Sequence, residues 1–209
     1  MVGLILEKTW QHLQLVIIAL TMAMALGLPW GLFLAISKRR RLVSGLLRAI
    51  ASFQAVPGLA LLALTVALLS LTPLPATGFL PATIVLVVYA LFPVVTSTHD
   101  GIQNIDATIV EVAVGMGMHN KQVLFEVQVP LALPQIVRGV RTAAIWIIAL
   151  VTLTSLAGSG GLGDLIVQGL RTMNVPLILA GTIPAVAMTL LFDALFARLA
   201  VWIVPHTVS

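Results

Sequence analysis

LPATIVLVVYALFPVVTST, Leu80 to Thr98, runs for 19 residues without a charged side chain. A helix of that length rises about 28 Å, close to the roughly 30 Å of a bilayer's hydrocarbon core. Its apolar residues are continuous rather than alternating, which excludes a barrel strand. The run therefore reads as a membrane-spanning helix. Four more such runs flank it, at about His12–Ile36, Leu46–Leu71, Gln135–Ala157 and Pro176–Val204. The expected fold class is all-α integral membrane, with about five transmembrane helices in a single domain over residues 1–209.

Composition agrees. Charged residues make up 9% of the chain and hydrophobic residues 60%, whereas soluble domains carry about 25% charge. Mean hydropathy is +1.13. Cysteine is absent, which removes disulfides and thiolate chemistry. The net charge of +4 reflects bases gathered at the ends of apolar runs, a topology signal rather than a nucleic-acid footprint. If the Lys38–Arg41 loop is cytoplasmic, nine bases lie inside: Lys38, Arg39, Arg40, Arg41, Arg48, Lys121, Arg138, Arg141 and Arg198. Only Lys8 and Arg171 lie outside. That bias predicts an external N-terminus and a cytoplasmic C-terminus. The first run is too long for a signal peptide and its bases follow the apolar stretch, so it is expected to persist as a helix.

One segment departs from the apolar pattern: EVAVGMGMHNKQVLFEVQVPLALP, Glu111 to Pro134. Asn104 or Asp106 upstream suits a helix N-cap. Ile109, Val110, Ala113, Val114 and Met116 recur at helical spacing. Gly115 and Gly117 permit a left-handed turn. A second short helix follows, with Val123, Leu124 and Val127 on one face, and Pro130 is expected to stop its ladder and start the next helix. The product is a helix–turn–helix elbow over about residues 104–134. It suits either two amphipathic helices resting on headgroups or a docking element for a partner.

The spacing of this segment resembles the cytoplasmic coupling motif of ATP-binding-cassette importer permeases. That pattern places Gly six residues after a Glu and Pro nineteen after it, and Glu111, Ala113, Gly117 and Pro130 match. Val112 replaces the usual Ala, Val127 the usual Ile and Val129 the usual Leu. The resemblance implies a type I importer-like permease whose elbow docks in a cleft on an ATPase subunit. Gly117 would allow the tight turn, Glu111 would cap or pair near the joint, and Met116, Met118, His119 and Asn120 would form the contact surface. The implied assembly has a second permease subunit, alike or paralogous, two ATPase subunits carrying ATP and Mg, and an extracytoplasmic binding protein, in a prokaryotic cytoplasmic membrane. The chain itself is not expected to be an enzyme or to bind a cofactor. A P-loop needs G-x-x-x-x-G-K-[ST], and at the one Lys followed by Thr, Lys8, the preceding residue is Glu7.

GSGGLG, Gly158 to Gly163, satisfies a dinucleotide-binding pattern in letters only. An apolar span precedes it rather than a strand, and no acid lies near position 183. Gly158, Gly160, Gly161 and Gly163 read instead as a close-packing or hinge loop between spans. The loop also resembles the G-x-G-G-L-G stretch of the osmoprotectant and methionine branches of these importers. With VPLALPQIVRGVRTA, Val129 to Ala143, it favours the branch for glycine betaine, choline and carnitine; the likeness covers roughly Phe53 to Asp193.

Few residues inside the spans suit contact with a polar solute. Trp30, Gln54, Tyr89, Trp146 and Thr152 are the candidates. A quaternary ammonium donates no hydrogen bond, so aromatic faces are its natural partners; single Trp and Tyr residues also serve as packing or interfacial anchors. Pro57 and Gly58 weaken the second span and suit a gate hinge or a static kink. Asp193 is expected near the inner interface, in a local ion pair or carbonyl contact with Arg198 a turn or so further on; Arg138 and Arg141 read as inner-face anchors. The four His residues have no ligand spacing, so no metal site is expected. Three other readings compete: the same machine for methionine or another amino acid, an ion-coupled secondary transporter, and a membrane scaffold.

Overall fold

The computed structural model describes residues 1–203. Nine α-helices account for most of it: α1 Val2–Ile36, α2 Arg40–Gln54, α3 Gly58–Ser70, α4 Phe79–Gln103, α5 Ala107–Gly115, α6 Asn120–Gln122, α7 Val129–Thr154, α8 Leu162–Arg171 and α9 Val175–Ile203. A π-helical turn, Val123–Gln128, fuses α6 to α7. Four helical stretches are long and apolar enough to cross a membrane, and a fifth is reached if the bent pair α2–α3 is taken as one broken span.

α4 is the centre of the bundle, with α1 on one side and α7 on the other. Lipid tails supply no hydrophobic drive between helices, so close van der Waals contact must hold them together. Residues 19, 23, 27, 31 and 35 of α1 are Ala, Ala, Gly, Gly and Ala, and all are buried. This four-residue repeat lays a small-residue stripe along one face. A Cβ at Gly27 would lie 2.8 Å from Val94 Cγ1, and one at Gly31 would lie 2.8 Å from the Val95 carbonyl oxygen. Gly101 meets Ala132 in the same way across the α4–α7 contact. Ile147, Ile148 and Val151 of α7 fill the interior beside Leu15, Val16 and Leu86. α9 packs on α7 and α8 and leaves most of its circumference open.

Several expected boundaries change. α1 begins at Val2 rather than near His12. The polar residues Glu7, Lys8, Gln11 and His12 extend the helix instead of delimiting it, and three of them find partners across the bundle. The second span is not one helix. It breaks between Gln54 and Gly58 and turns through 97°. Pro57 is the N-cap of α3 with φ −57°, ψ 136°, a geometry that ends α2. An unexpected short helix, α8, lies between the fourth and fifth spans. Pro130 does not separate two helices. Its missing N–H and its ring are absorbed by the π turn, where the Val129 N–H reaches five residues back to Leu124 O, and the helix runs on. The expected end of the last span at Val204, and the C-terminus with it, lie outside the described residues.

Candidate functional site

The elbow begins where α4 ends. Gln103 Nε2 donates to the Ala35 carbonyl at the end of α1, fastening the two helix ends together. Asp106 is the N-cap of α5 and accepts the Thr108 N–H at 2.8 Å. Hydrogen bonds from Thr108 hold the Asp106 carboxyl below the usual aspartate range. At the other end of α5, Gly117 adopts φ +87°. Gly117 N–H donates to Val114 O at 2.9 Å and Met118 N–H to Ala113 O at 3.2 Å. These two bonds are the Schellman pair that satisfies the last carbonyls of a helix. His119 and Gln122 then form a reciprocal capping box that starts α6.

The two halves of the elbow differ in anchorage. Val123 and Leu124 are buried, and Leu124 packs with Ala35, Ile102, Ala132 and Ile136. α5 buries only Ala113. Its Ile109, Val112 and Val114 are exposed, as are Met116 at 72% and Phe125 at 60%. Most of the apolar residues of α5 thus face away from the bundle. Glu111 stands exposed on α5 and makes no side-chain hydrogen bond or ion pair among the described residues. Of the two N-cap candidates upstream, Asn104 and Asp106, it is Asp106 that caps α5. Met118 is half-buried beneath the turn, His119 and Asn120 are exposed at its tip, and Pro130 is exposed at the start of α7.

A second feature lies deeper. Gln54, Tyr89, Trp146, Ala149 and Leu150 line a cavity of about 300 Å³. Tyr89 Oη donates to the Val56 carbonyl, which the α2–α3 break leaves without a helical partner. Gly58 sits against Leu150, where a Cβ would come within 2.8 Å. Gln54 Nε2 is buried without a hydrogen-bond partner. Three of the five sequence candidates therefore meet here. Trp30 does not; it lines a separate hollow with Ala25, Leu26, Pro29 and Leu91. Thr152 lies nearer the far end of α7 and donates to its own helix at Ala149 O, 2.7 Å.

At the end of the bundle opposite the elbow, the glycine loop is stapled down. Gly158, Gly160 and Gly161 have φ of +81°, +79° and +91°. Gly163 does not share that geometry; it is small because it packs on Thr152 and Ser155. Gly161 N–H donates to Gln11 Oε1 at 3.2 Å, and Lys8 Nζ donates to Asp164 at 2.6 Å. Asp193 pairs not with Arg198 but with Arg141, at 2.6 and 2.8 Å. This fork closes α7 onto α9 across 52 positions of chain, and sequence proximity could not reveal it. Arg138 instead donates to Gln135 Oε1 within its own helix. No group of three metal-ligating residues occurs among the described residues.

The family described as "Binding-protein-dependent transport system inner membrane component" matches residues 27–209. A carnitine transport permease, OpuCB of Listeria monocytogenes, is 34% identical over 204 residues, spanning 98% of this chain and 90% of that protein. A glycine betaine/carnitine/choline transport system permease, OpuCB of Bacillus subtilis (strain 168), is 31% identical over 195 residues, 93% of this chain and 86% of that one. Among solved structures, the MetNI methionine ABC transporter in inward-facing conformations superposes with a TM-score of 0.86 at 20% identity, covering 97% of each chain.

Proposed function

The chain belongs to the binding-protein-dependent transport system inner membrane components, and from that premise we propose that it is the permease of an importer for quaternary-ammonium osmoprotectants such as carnitine, glycine betaine and choline. The solute class rests on the relatives that span nearly the whole chain. The methionine transporter shares the fold at 20% identity and lends amino-acid import nothing further. Energy comes from ATP and Mg on two separate ATPase subunits. An extracytoplasmic binding protein delivers the solute, and a second permease, alike or paralogous, supplies the other half of the pathway. The elbow lies on the cytoplasmic side of a prokaryotic inner membrane.

The observation that carries this reading is the construction of the elbow. A lever needs one rigid arm and one surface to be pushed. Leu124 and the helix running from Asn120 through α7 give the rigid arm. Ile109, Val112 and Met116 give an apolar surface exposed on the chain, of the kind that marks a protein contact. Glu111, His119 and Asn120 ring that surface with polar groups; Ala113, Gly117, Met118 and Pro130 shape the turn. Pro57 and Gly58, at the break between α2 and α3, are the point where the bundle can bend.

Gly117→Val is the direct test. A β-branched residue at φ +87° is strained by about 1–3 kcal/mol, although open space surrounds the position. The variant is expected to insert and assemble, yet to lose solute uptake at least tenfold while ATP hydrolysis continues. Uptake equal to that of the parent chain in proteoliposomes would remove the elbow from the mechanism.

A further inference from the structure

The cavity at Gln54, Tyr89 and Trp146 is not isolated. Trp146 also lines a second hollow of about 250 Å³ between α4 and α7, along with Thr96, Ser97 and Thr142. Gln135 and Arg138 line that hollow and also a third, of about 350 Å³, beside Asn104 and Asp106 at the elbow. The three adjoin through shared walls and trace one groove from mid-bundle to the elbow end. From Val129 to Trp146 the helix rises about 25 Å, most of the thickness of a hydrocarbon core.

The chemistry of the groove is uneven along its length. Thr96 donates its hydroxyl hydrogen to Phe92 O at 2.8 Å, and Thr142 donates to Arg138 O at 3.1 Å. Ser97 and Tyr89 likewise spend their hydrogens on backbone carbonyls. What these groups leave to the groove is lone pairs and π faces. Pro93, which also lines it, leaves the Tyr89 carbonyl without its ladder donor. Such a wall suits a cation that has no hydrogen to donate. Between the two ends the Trp146 indole N–H is the side-chain donor; amide and guanidinium donors stand at the ends themselves. Gln54 Nε2 has no partner at one. At the other, Arg138 is exposed; Asp100 lines the same hollow but its carboxylate sits 2.8 Å from His99 Nδ1, and Arg138 forms no ion pair among the described residues.

Resting on the proposed function, we propose that the α4–α7 groove is the route of a zwitterionic quaternary amine toward the cytoplasm, and that Arg138 at its mouth selects solutes that carry a carboxylate. The trimethylammonium end slides past Tyr89, Trp146 and the threonine oxygens. The carboxylate moves from the Gln54 amide to the Arg138 guanidinium, which can hold it by two hydrogen bonds. Choline has the ammonium but no carboxylate, so it gains nothing from Arg138.

The chain has no cysteine, so single replacements report cleanly. Thr142→Cys and Thr96→Cys, each in the full transporter in nucleotide-free proteoliposomes, are treated with trimethylammonium-ethyl methanethiosulfonate. Both are expected to react, and carnitine is expected to slow the reaction at least fivefold. Leu190→Cys, on the exposed apolar face of α9, is expected to stay unmodified. Carnitine should protect Thr142→Cys at lower concentration than choline. Adding Arg138→Gln should shrink that advantage about tenfold, the worth of one charge-assisted contact, and Arg138→Lys should restore part of it. An unchanged ratio overturns the role of Arg138. No labelling at either threonine position overturns the groove, while carnitine uptake by the parent transporter would leave the proposed function standing. Labelling without protection by either solute, joined to absence of quaternary-amine uptake, overturns the solute class itself. Where Arg138→Gln fails to assemble, labelling and protection of Thr142→Cys decide alone.

Discussion

The Asp106 carboxylate fixes where α5 starts through one hydrogen bond to the Thr108 N–H. Its pKa in the fold lies below the ordinary aspartate value near 3.9. The cap therefore contributes fully above the ordinary value and is lost as pH falls through the lowered one. Neutral and mildly acid conditions leave the start of the elbow intact. Asp106→Ala should raise amide exchange at Thr108 and Ile109 about fivefold at neutral pH, in keeping with a lost N-cap. Asp106→Asn, which keeps an acceptor oxygen, should exchange more slowly than the alanine variant; equal rates would show that the bond to Thr108 does not hold the turn. Asp193 illustrates how far a partner can lie in sequence. Arg198 is five positions away, yet the bidentate geometry belongs to Arg141 on another helix. A carboxylate in a spanning helix satisfied by such a fork is a clamp rather than a proton relay.

Helices pack in this bundle through what their faces lack. The stripe from Ala19 to Ala35 lets α4 approach α1 so closely that an added methyl group has no room at Gly31. Gly31→Val should cost about 1–3 kcal/mol, read as a lower unfolding temperature of the detergent-solubilised chain. Gly45→Ala is the matched control. Nothing lies within 4 Å of its position on α2, and alanine there should stabilise by about 0.5–1 kcal/mol. Equal thermal shifts in the two variants would mean that the stripe is not a packing surface. Much at this scale was legible beforehand. Apolar length gave the spans, and Gly117 and Pro57 marked the turns because their backbone preferences are local. What was not legible depended on distant partners. α8 is too short and too polar at its ends to announce itself by hydropathy. The π turn before Pro130 arises because the helix already has Leu124 buried below and α7 packed above, so bulging costs less than breaking. Of the solute candidates, Gln54, Tyr89 and Trp146 could be drawn together only by the 97° bend. Trp30 suits a quaternary ammonium by residue type alone, and it lies elsewhere.

Across the whole molecule, the two ends are built differently. Opposite the elbow, Lys8 grips Asp164, Gln11 holds Gly161, and Gly78 N–H donates to Ala157 O at 2.7 Å. These bonds tie α1, the glycine loop and the α3–α4 connection to one another, so that end moves as a unit. At the other end α5 projects from the bundle with a single buried side chain. Charge follows the same division. Lys38 and Arg39 link α1 to α2, Arg40 and Arg41 open α2, and Lys121 stands on the elbow at that same end, while Lys8 and Arg171 lie at the stapled end. An electrostatic preference for cytoplasmic Lys and Arg predicts that the elbow faces inward, as the proposed docking on ATPases requires. Absence of cysteine makes the orientation measurable. Met116→Cys on the elbow and Met173→Cys after α8 are both highly exposed, at 72% and 86%. In right-side-out vesicles a membrane-impermeant maleimide should label Met173→Cys at once and Met116→Cys only after the vesicles are opened. The reverse order would put the lever on the wrong side of the membrane for any cytosolic motor, because no rearrangement of the bundle carries α5 through 30 Å of lipid.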